Sequence, residues 1–341
     1  MSRVEHEARR HREGSHEQAG RCHLLSWGTG RQSPPSGALV RDDVVSTPGA
    51  VASRAARAVV NRPAMARTYP TGYTTPLSPD GRAGLVLAPP WHYSADFLIV
   101  EYRTDPDAVV ALLPKELEPA KDRGAVAAIF ADWQVCSDDG HELLDPVQGQ
   151  YKEFFLVVGC TFEGQPASRC VYIWVDKDFA MYRGWIQGFP KKIGAIHMTR
   201  TFPVGRATPQ IAPGAKFGAT CTAGSREIAR AIVTLRQVSP AGPTVNGPPM
   251  HNTRLFPAYD GLVPDVFELV RAGGQDRSIT EVWEGDAELT LGSNTIEPLR
   301  AIAPREIGNG YRFSFGYTVN GGTVLLQHDK EAHGMRRSPT S

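Results

Sequence analysis

The 341-residue sequence predicts an α+β protein in which antiparallel strands dominate and the helices are short. Three observations lead there. The whole chain holds 34 glycines and 27 prolines, and from Ala83 onward they punctuate brief β-type runs, the spacing of hairpins rather than of βαβ units. Helical stretches between those runs reach only about two turns. No glycine-rich GxGxxG loop sits between a strand and a helix, which argues against a dinucleotide-binding sheet.

The elements follow in order. Residues 1–64 carry ten arginines, no lysine and no sustained apolar period, and are expected to be disordered. Their glutamates do not suit a transit peptide, and no apolar core of a secretory signal is present. Met65 begins the ordered-looking part, so the expected domain is 65–330, with 331–341 a disordered tail; the leader reads either as a dispensable tail or as a gene-model artefact outside the natural protein. Phe97–Tyr102 is the first clear strand. Asp105-Pro106-Asp107 offers an N-cap and an N-terminal proline for a helix whose apolar stripe (Val109, Val110, Leu112, Leu113) ends at Pro114. Ala125–Phe130 and Phe154–Thr161 read as strands, the second joined through Glu163-Gly164-Gln165-Pro166 to a partner at Cys170–Val175. Further strands are expected at Lys216–Thr222, Ile232–Val238, Ser278–Glu284, Ala287–Leu291 and Tyr311–Val319, and a short helix at Pro264–Val270.

Composition removes several function classes. With 37 basic against 36 acidic residues the formal charge is +1, far from the field that nucleic acid or an anionic bilayer requires. No apolar run approaches the roughly 18 residues of a membrane helix. Five cysteines without CxxC pairs indicate neither a disulfide framework nor a zinc knuckle, so the cytoplasm is the default compartment.

The most informative segment is Tyr182-Arg183-Gly184-Trp185-Ile186-Gln187-Gly188-Phe189-Pro190-Lys191-Lys192-Ile193-Gly194. Paired lysines after an apolar, aromatic approach can place one amine in a dry setting beside a second positive charge, and both effects lower its pKa. A neutral amine attacks a carbonyl to form an iminium, an electron sink for breaking or making bonds at the neighbouring carbon. The plain reading of such a pair is a solvated surface charge.

Gly188-Phe189-Pro190-Lys191-Lys192-Ile193-Gly194 resembles the signature of the acetoacetate decarboxylase superfamily. Other segments agree in order: Glu101–Ala108 with Leu113-Pro114 and Leu117-Glu118-Pro119; Tyr151-Lys152-Glu153; Asn252, Arg254, Pro257 and Asp260-Gly261; and Trp283-Glu284-Gly285. The resemblance covers about residues 85–327. It implies a curved antiparallel sheet or cone-like barrel with the lysines inside, a homo-oligomer, and no metal or organic cofactor. It also implies that Lys191 forms the Schiff base, that Lys192 is the adjacent charge, and that Glu153 stands beside the substrate. The activated lysine is the established mechanism of acetoacetate decarboxylase and comes here by resemblance alone. Two positions depart from the decarboxylating members: Ala95 where they carry an arginine, and Trp185 where they carry a glutamate.

Arg183 and Gln187 lie eight and four residues before Lys191. On a helical approach all three share a face, a guanidinium for a carboxylate and an amide for the adjoining oxygen. RxxxQxxxK resembles a divergent branch in which the lysine captures a 2-oxo acid such as pyruvate and supports aldol condensation and dehydration. Tyr317 alternates in phase with Phe313 and Phe315, so it faces the same apolar interior, as a proton donor or as a structural phenol. Glu281 and Glu284 are rivals for the acid. Three readings follow: a Schiff-base lyase handling a small 2-oxo acid, a β-keto acid decarboxylase using the same lysine, and a non-catalytic β protein that binds small molecules.

Overall fold

The computed structural model describes residues 69–261, 263–293 and 297–330. The expectations for 1–64 and 331–341 fall outside these residues. The strands are β1 (Trp91–Arg103), β2 (Glu118–Pro119), β3 (Ala125–Cys136), β4 (Gln150–Phe162), β5 (Gln165–Val175), β6 (Lys191–Ile193), β7 (Ala195–Met198), β8 (Lys216–Ala223), β9 (Arg226–Val238), β10 (Met250–Phe256), β11 (Val266–Ala272), β12 (Gln275–Ile279), β13 (Trp283–Leu291), β14 (Glu306–Val319) and β15 (Thr323–Gln327). The helices are α1 (Pro106–Val110), α2 (Pro146–Gly149) and α3 (Asp178–Ile186). All the strands join one sheet along the path β15-β11-β10-β5-β4-β3-β1-β14-β13-β9-β8-β7, with β2, β6 and β12 attached at its sides. Pairing is antiparallel except where β5 meets β6 and touches β10. The path does not close on itself, so the open sheet is observed and the closed barrel is not.

Side chains alternate across each strand, and both faces are buried. On β1, Leu98, Val100 and Tyr102 enter one core with Phe130, Phe154 and Trp174. Trp91, Tyr93, Phe97 and Ile99 enter a second core with Trp133, Tyr151 and Phe313. The central strands β1, β3 and β4 therefore carry apolar residues at nearly every position, the mark of a sheet covered on both sides. This second face carries the site.

The expected helix at Pro264–Val270 is instead β11. A short apolar run has no decisive period, and here partners on both sides settle it: β11 pairs with β10 and β15. Arg254 and Glu268 stand directly opposite across the first ladder and form a 2.8 Å ion pair. The expected strand at Ser278–Glu284 is two, β12 and the start of β13, broken at Thr280–Val282.

Candidate active site

The lysine segment is built by a helix stop. Asp178–Ile186 forms α3, and Gly188 follows its last turn at φ +83°. The Phe189 amide donates to the Gly184 carbonyl (2.8 Å) and the Gly188 amide to the Trp185 carbonyl (3.1 Å), the paired bonds of a Schellman turn, which favours glycine in the left-handed position. Pro190 prevents the helix resuming, and the chain enters β6 alongside β5. The expected helical face therefore does not extend to Lys191. The turn folds a strand lysine back onto the helix that carries Arg183.

Alternation along β6 separates the two lysines. Lys191 lies opposite Ile173 and Lys192 opposite Trp174, residues of opposite faces. Lys191 is 8% exposed; its Nζ donates to Glu153 Oε2 at 2.9 Å and lies 5.2 Å from the Tyr151 ring centre. Lys192 points the other way, near the Trp174 ring, and pairs with Glu297. This corrects the expected role of Lys192. Burial is the main cause that lowers the Lys191 pKa; Arg183 lowers it further, while the Glu153 carboxylate opposes both. The second positive charge facing Lys191 is thus Arg183.

Glu153 is buried and takes two donors, Lys191 on Oε2 and the Trp133 indole on Oε1 at 2.7 Å. Arg183 is buried among four rings, its guanidinium carbon 5.1 Å from the centre of Tyr93, 5.4 Å from Phe179, 5.5 Å from Tyr151 and 5.8 Å from Trp91. Its Nη2 is buried and finds no hydrogen-bond partner among the described residues. The Tyr151 and Tyr93 phenols interact with the rest of the guanidinium, so what the enclosure leaves unsatisfied is one N–H edge of a buried cation. Arg183 is not itself in the lining of the cleft; Tyr93, Tyr151 and Gln187 are. Its charge reaches the cleft through those side chains rather than as an open fork. Gln187 caps α3 and interacts with the Tyr93 phenol.

The cleft has a volume of about 590 Å³, with Lys191, Glu153 and Tyr317 in its wall. Tyr317 stacks on Tyr93 at 5.0 Å. Burial pushes its phenol well above the ordinary value, against the opposing charges of Arg183 and Arg277, so it holds its proton at neutral pH. Of its rivals, Glu281 also lines the cleft. Glu284 is held by Ser239 and Gln237, bonds that lower its pKa, and is absent from the lining. Ala95 is buried opposite Trp133 and Phe315. Trp185 donates its indole N–H to the Lys191 carbonyl at 2.8 Å, securing the backbone of that lysine.

Sequence reasoning misses Trp133, and it takes Trp91-His92-Tyr93 as a packing edge without a place in the site. The signal was available: Trp91, Tyr93 and Phe97 share the period-two phase that identified Phe313, Phe315 and Tyr317, and the register pairs Tyr93 with Tyr317 and Phe97 with Phe313.

Comparison with known proteins agrees with this architecture. The family profile of acetoacetate decarboxylase (ADC) matches residues 74–328. The acetoacetate decarboxylase of Chromobacterium violaceum is 25% identical over 273 residues, 77% of this chain and 96% of that protein. Among solved structures, the enduracididine biosynthesis enzyme MppR, complexed with the condensation product of pyruvate and imidazole 4-carboxaldehyde, is 40% identical, covers 77% of this chain and 100% of its own, and has a TM-score of 0.74. The same enzyme complexed with pyruvate has a TM-score of 0.73 at 40% identity, over 77% of this chain and 100% of its own. An acetoacetate decarboxylase-like enzyme from Sphingomonas wittichii RW1 is 32% identical, with a TM-score of 0.70 over 76% of this chain and 100% of its own. The profile match across most of the chain and these full-length relatives identify it as an enzyme of the lyase and decarboxylase kind, a member of the acetoacetate decarboxylase family.

Proposed function

We propose that the protein is a cofactor-independent Schiff-base carbon–carbon lyase of small 2-oxo acids, acting by aldol condensation and dehydration. The observation that carries the reading is Arg183: a buried guanidinium with an unpartnered Nη2, one helical turn from Gln187 and electrostatically coupled to a lysine of lowered pKa. A carboxylate attached to the carbonyl under attack is the anion that such a site is arranged to hold. The MppR complexes with pyruvate and with its condensation product support this reading over decarboxylation.

In this mechanism Lys191 Nζ adds to C2 of the 2-oxo acid and one water leaves, giving the iminium. Gln187 and Tyr93 meet the carboxylate at the cleft wall with the Arg183 charge behind them. Glu153, freed of the ammonium once the amine has reacted, takes a proton from C3, and the enamine then attacks an aldehyde. Tyr317 gives a proton to the new alkoxide; the hydroxyl then departs as water on receiving from Glu153 the proton first taken from C3, while a second of the three C3 protons passes to the Tyr317 phenolate and the third stays on the new double bond. A second water hydrolyses the iminium and returns the lysine. The rival, β-keto acid decarboxylation, uses the same iminium and is favoured by the likeness to the Chromobacterium violaceum enzyme. A tight hold on the departing carboxylate opposes that reaction, because it stabilises the ground state.

The test is borohydride reduction with pyruvate and, separately, acetoacetate, read by intact mass and peptide mapping. A pyruvate adduct on Lys191, absent from Lys191→Ala, with little carbon dioxide released from acetoacetate, is expected. Rapid carbon dioxide release from acetoacetate with no pyruvate adduct overturns the proposal in favour of the decarboxylase.

A further inference from the structure

Glu153 holds two donors, Lys191 Nζ on Oε2 at 2.9 Å and the Trp133 indole on Oε1 at 2.7 Å, and among the described residues no other hydrogen bond reaches its carboxylate. Capture of a substrate as the imine removes the first. The lysine nitrogen exchanges an ammonium with three N–H groups for a planar iminium with one, and the substrate carbon, not Glu153, then sets its direction. The second donor is untouched by that chemistry. An indole N–H only donates, neither accepting a proton nor giving one up at neutral pH, so it can aim a base without competing with it.

The strand ladder explains why a tryptophan fills this place. Ala131 stands directly opposite Glu153 and presents only a methyl group, while Trp133, two residues on, is opposite Tyr151. A diagonal neighbour on the same face of a sheet lies about 7–8 Å away, within the reach of a large aromatic side chain. Trp133 is buried, and its ring is held on several sides, edge-on to Tyr93 at 5.5 Å and to Phe97 at 5.2 Å, and stacked on Tyr151 at 6.3 Å. A donor enclosed in this way cannot follow a turning carboxylate; it keeps the carboxylate from turning.

Resting on the 2-oxo acid reading above, we infer that Trp133 is the positioning residue of the C3 proton transfer: with Lys191 bound as the imine, the indole bond to Oε1 keeps Glu153 Oε2 directed at C3. The step it serves is redox-neutral. The C3–H bond breaks, its proton passes to Oε2, and its electron pair forms the C2–C3 double bond of the enamine while the iminium nitrogen becomes neutral. Imine formation precedes this step and does not depend on the indole.

The test separates the two steps in the full chain. Imine formation is followed by borohydride trapping of pyruvate, read by intact mass. Proton transfer is followed by the entry of deuterium into the pyruvate methyl group in deuterium oxide, read by proton NMR, with Lys191→Ala as the blank. Two replacements are compared: Trp133→Phe, and 3-benzothienylalanine at position 133, which keeps both rings and carries sulfur in place of the N–H. Both are assayed above the trapping midpoint, where the lysine is neutral. The expected result is methyl exchange slower by at least about tenfold in each, the loss of a hydrogen bond to a charged group, with trapping within about threefold of wild type. Exchange slowed by less than about tenfold in the benzothienyl protein, or slowed only in step with trapping, overturns the inference, because the indole N–H then has no separate part in the proton step, whatever the phenylalanine variant does. A wild-type protein that traps no pyruvate defeats the 2-oxo acid reading instead.

Discussion

Glu153→Gln should move the pH dependence of imine formation downward. The Glu153 carboxylate lies 2.9 Å from Lys191 Nζ and stabilises the ammonium, the form that cannot attack. Two full charges at that separation in an effective dielectric of about 20 interact by roughly 6 kcal/mol. The carboxylate divides its charge between two oxygens, one of them held by the Trp133 indole, so about half acts directly on the amine, or ~3 kcal/mol. The neutral amide keeps an acceptor for Trp133 and turns its N–H toward the lysine lone pair, which favours the free amine again. The sign is therefore fixed: the ammonium loses its partner, the pKa of Lys191 falls further, and trapping becomes pH-independent from a lower pH. The assay is the rate of borohydride-trapped pyruvate adduct by intact mass between pH 5 and pH 10. A midpoint that stays in place or rises would refute the assignment of Glu153 as the group opposing Lys191's neutral form. Any loss in the rate of the later C3 proton transfer is read separately, since the adduct forms before it.

Two other substitutions test the geometry. In Gly184→Ala the added Cβ would stand 2.3 Å from Lys191 Cδ, so the nucleophile must leave its position. Trapping should slow at least about tenfold while circular dichroism stays native, because alanine favours the helix by about 1 kcal/mol; a wild-type trapping rate would show that the lysine does not lie against the helix. Lys192→Ala should keep trapping within about threefold of wild type with an unchanged midpoint, because its ammonium faces Glu297 on the other side of β6. An upward shift of the midpoint by about one unit would restore Lys192 as the charge that activates Lys191.

How far the sequence discloses the molecule depends on whether a residue's role is local. Gly188-Phe189-Pro190 carries the local marks of a helix stop, yet the expected helical face runs through it to Lys191, so the segment is legible as a signature while its turn is overlooked. Alternation along β14 is equally local and places Tyr317 correctly on the cleft face. The partner of Lys191 is less accessible: Lys191 and Lys192 are neighbours in sequence, and only the assignment of Lys191–Ile193 as a strand puts them on opposite sides. A three-residue strand leaves no period to detect. Val266–Ala272 fails for a related reason, since its conformation is decided by β10 and β15, which lie elsewhere in the chain. The Arg183 enclosure joins residues from β1, β4 and α3, and no single window of sequence contains it.

The contact between the stem of Lys191 and the bare backbone at Gly184 has a kinetic meaning. A free lysine side chain samples many rotamers, and immobilising it costs up to about 2 kcal/mol of conformational entropy. Here the methylenes are confined when the chain folds, with the amine anchored by Glu153 and flanked by the Tyr151 and Phe189 rings. In the proposed imine chemistry, the ordering that an unrestrained amine would undergo on the way to its transition state has already taken place before substrate arrives, and the encounter needs to orient only the incoming carbonyl. In that proposal a glycine in the middle of α3, unfavourable for the helix itself, leaves the space in which the Lys191 amine is aligned before the reaction.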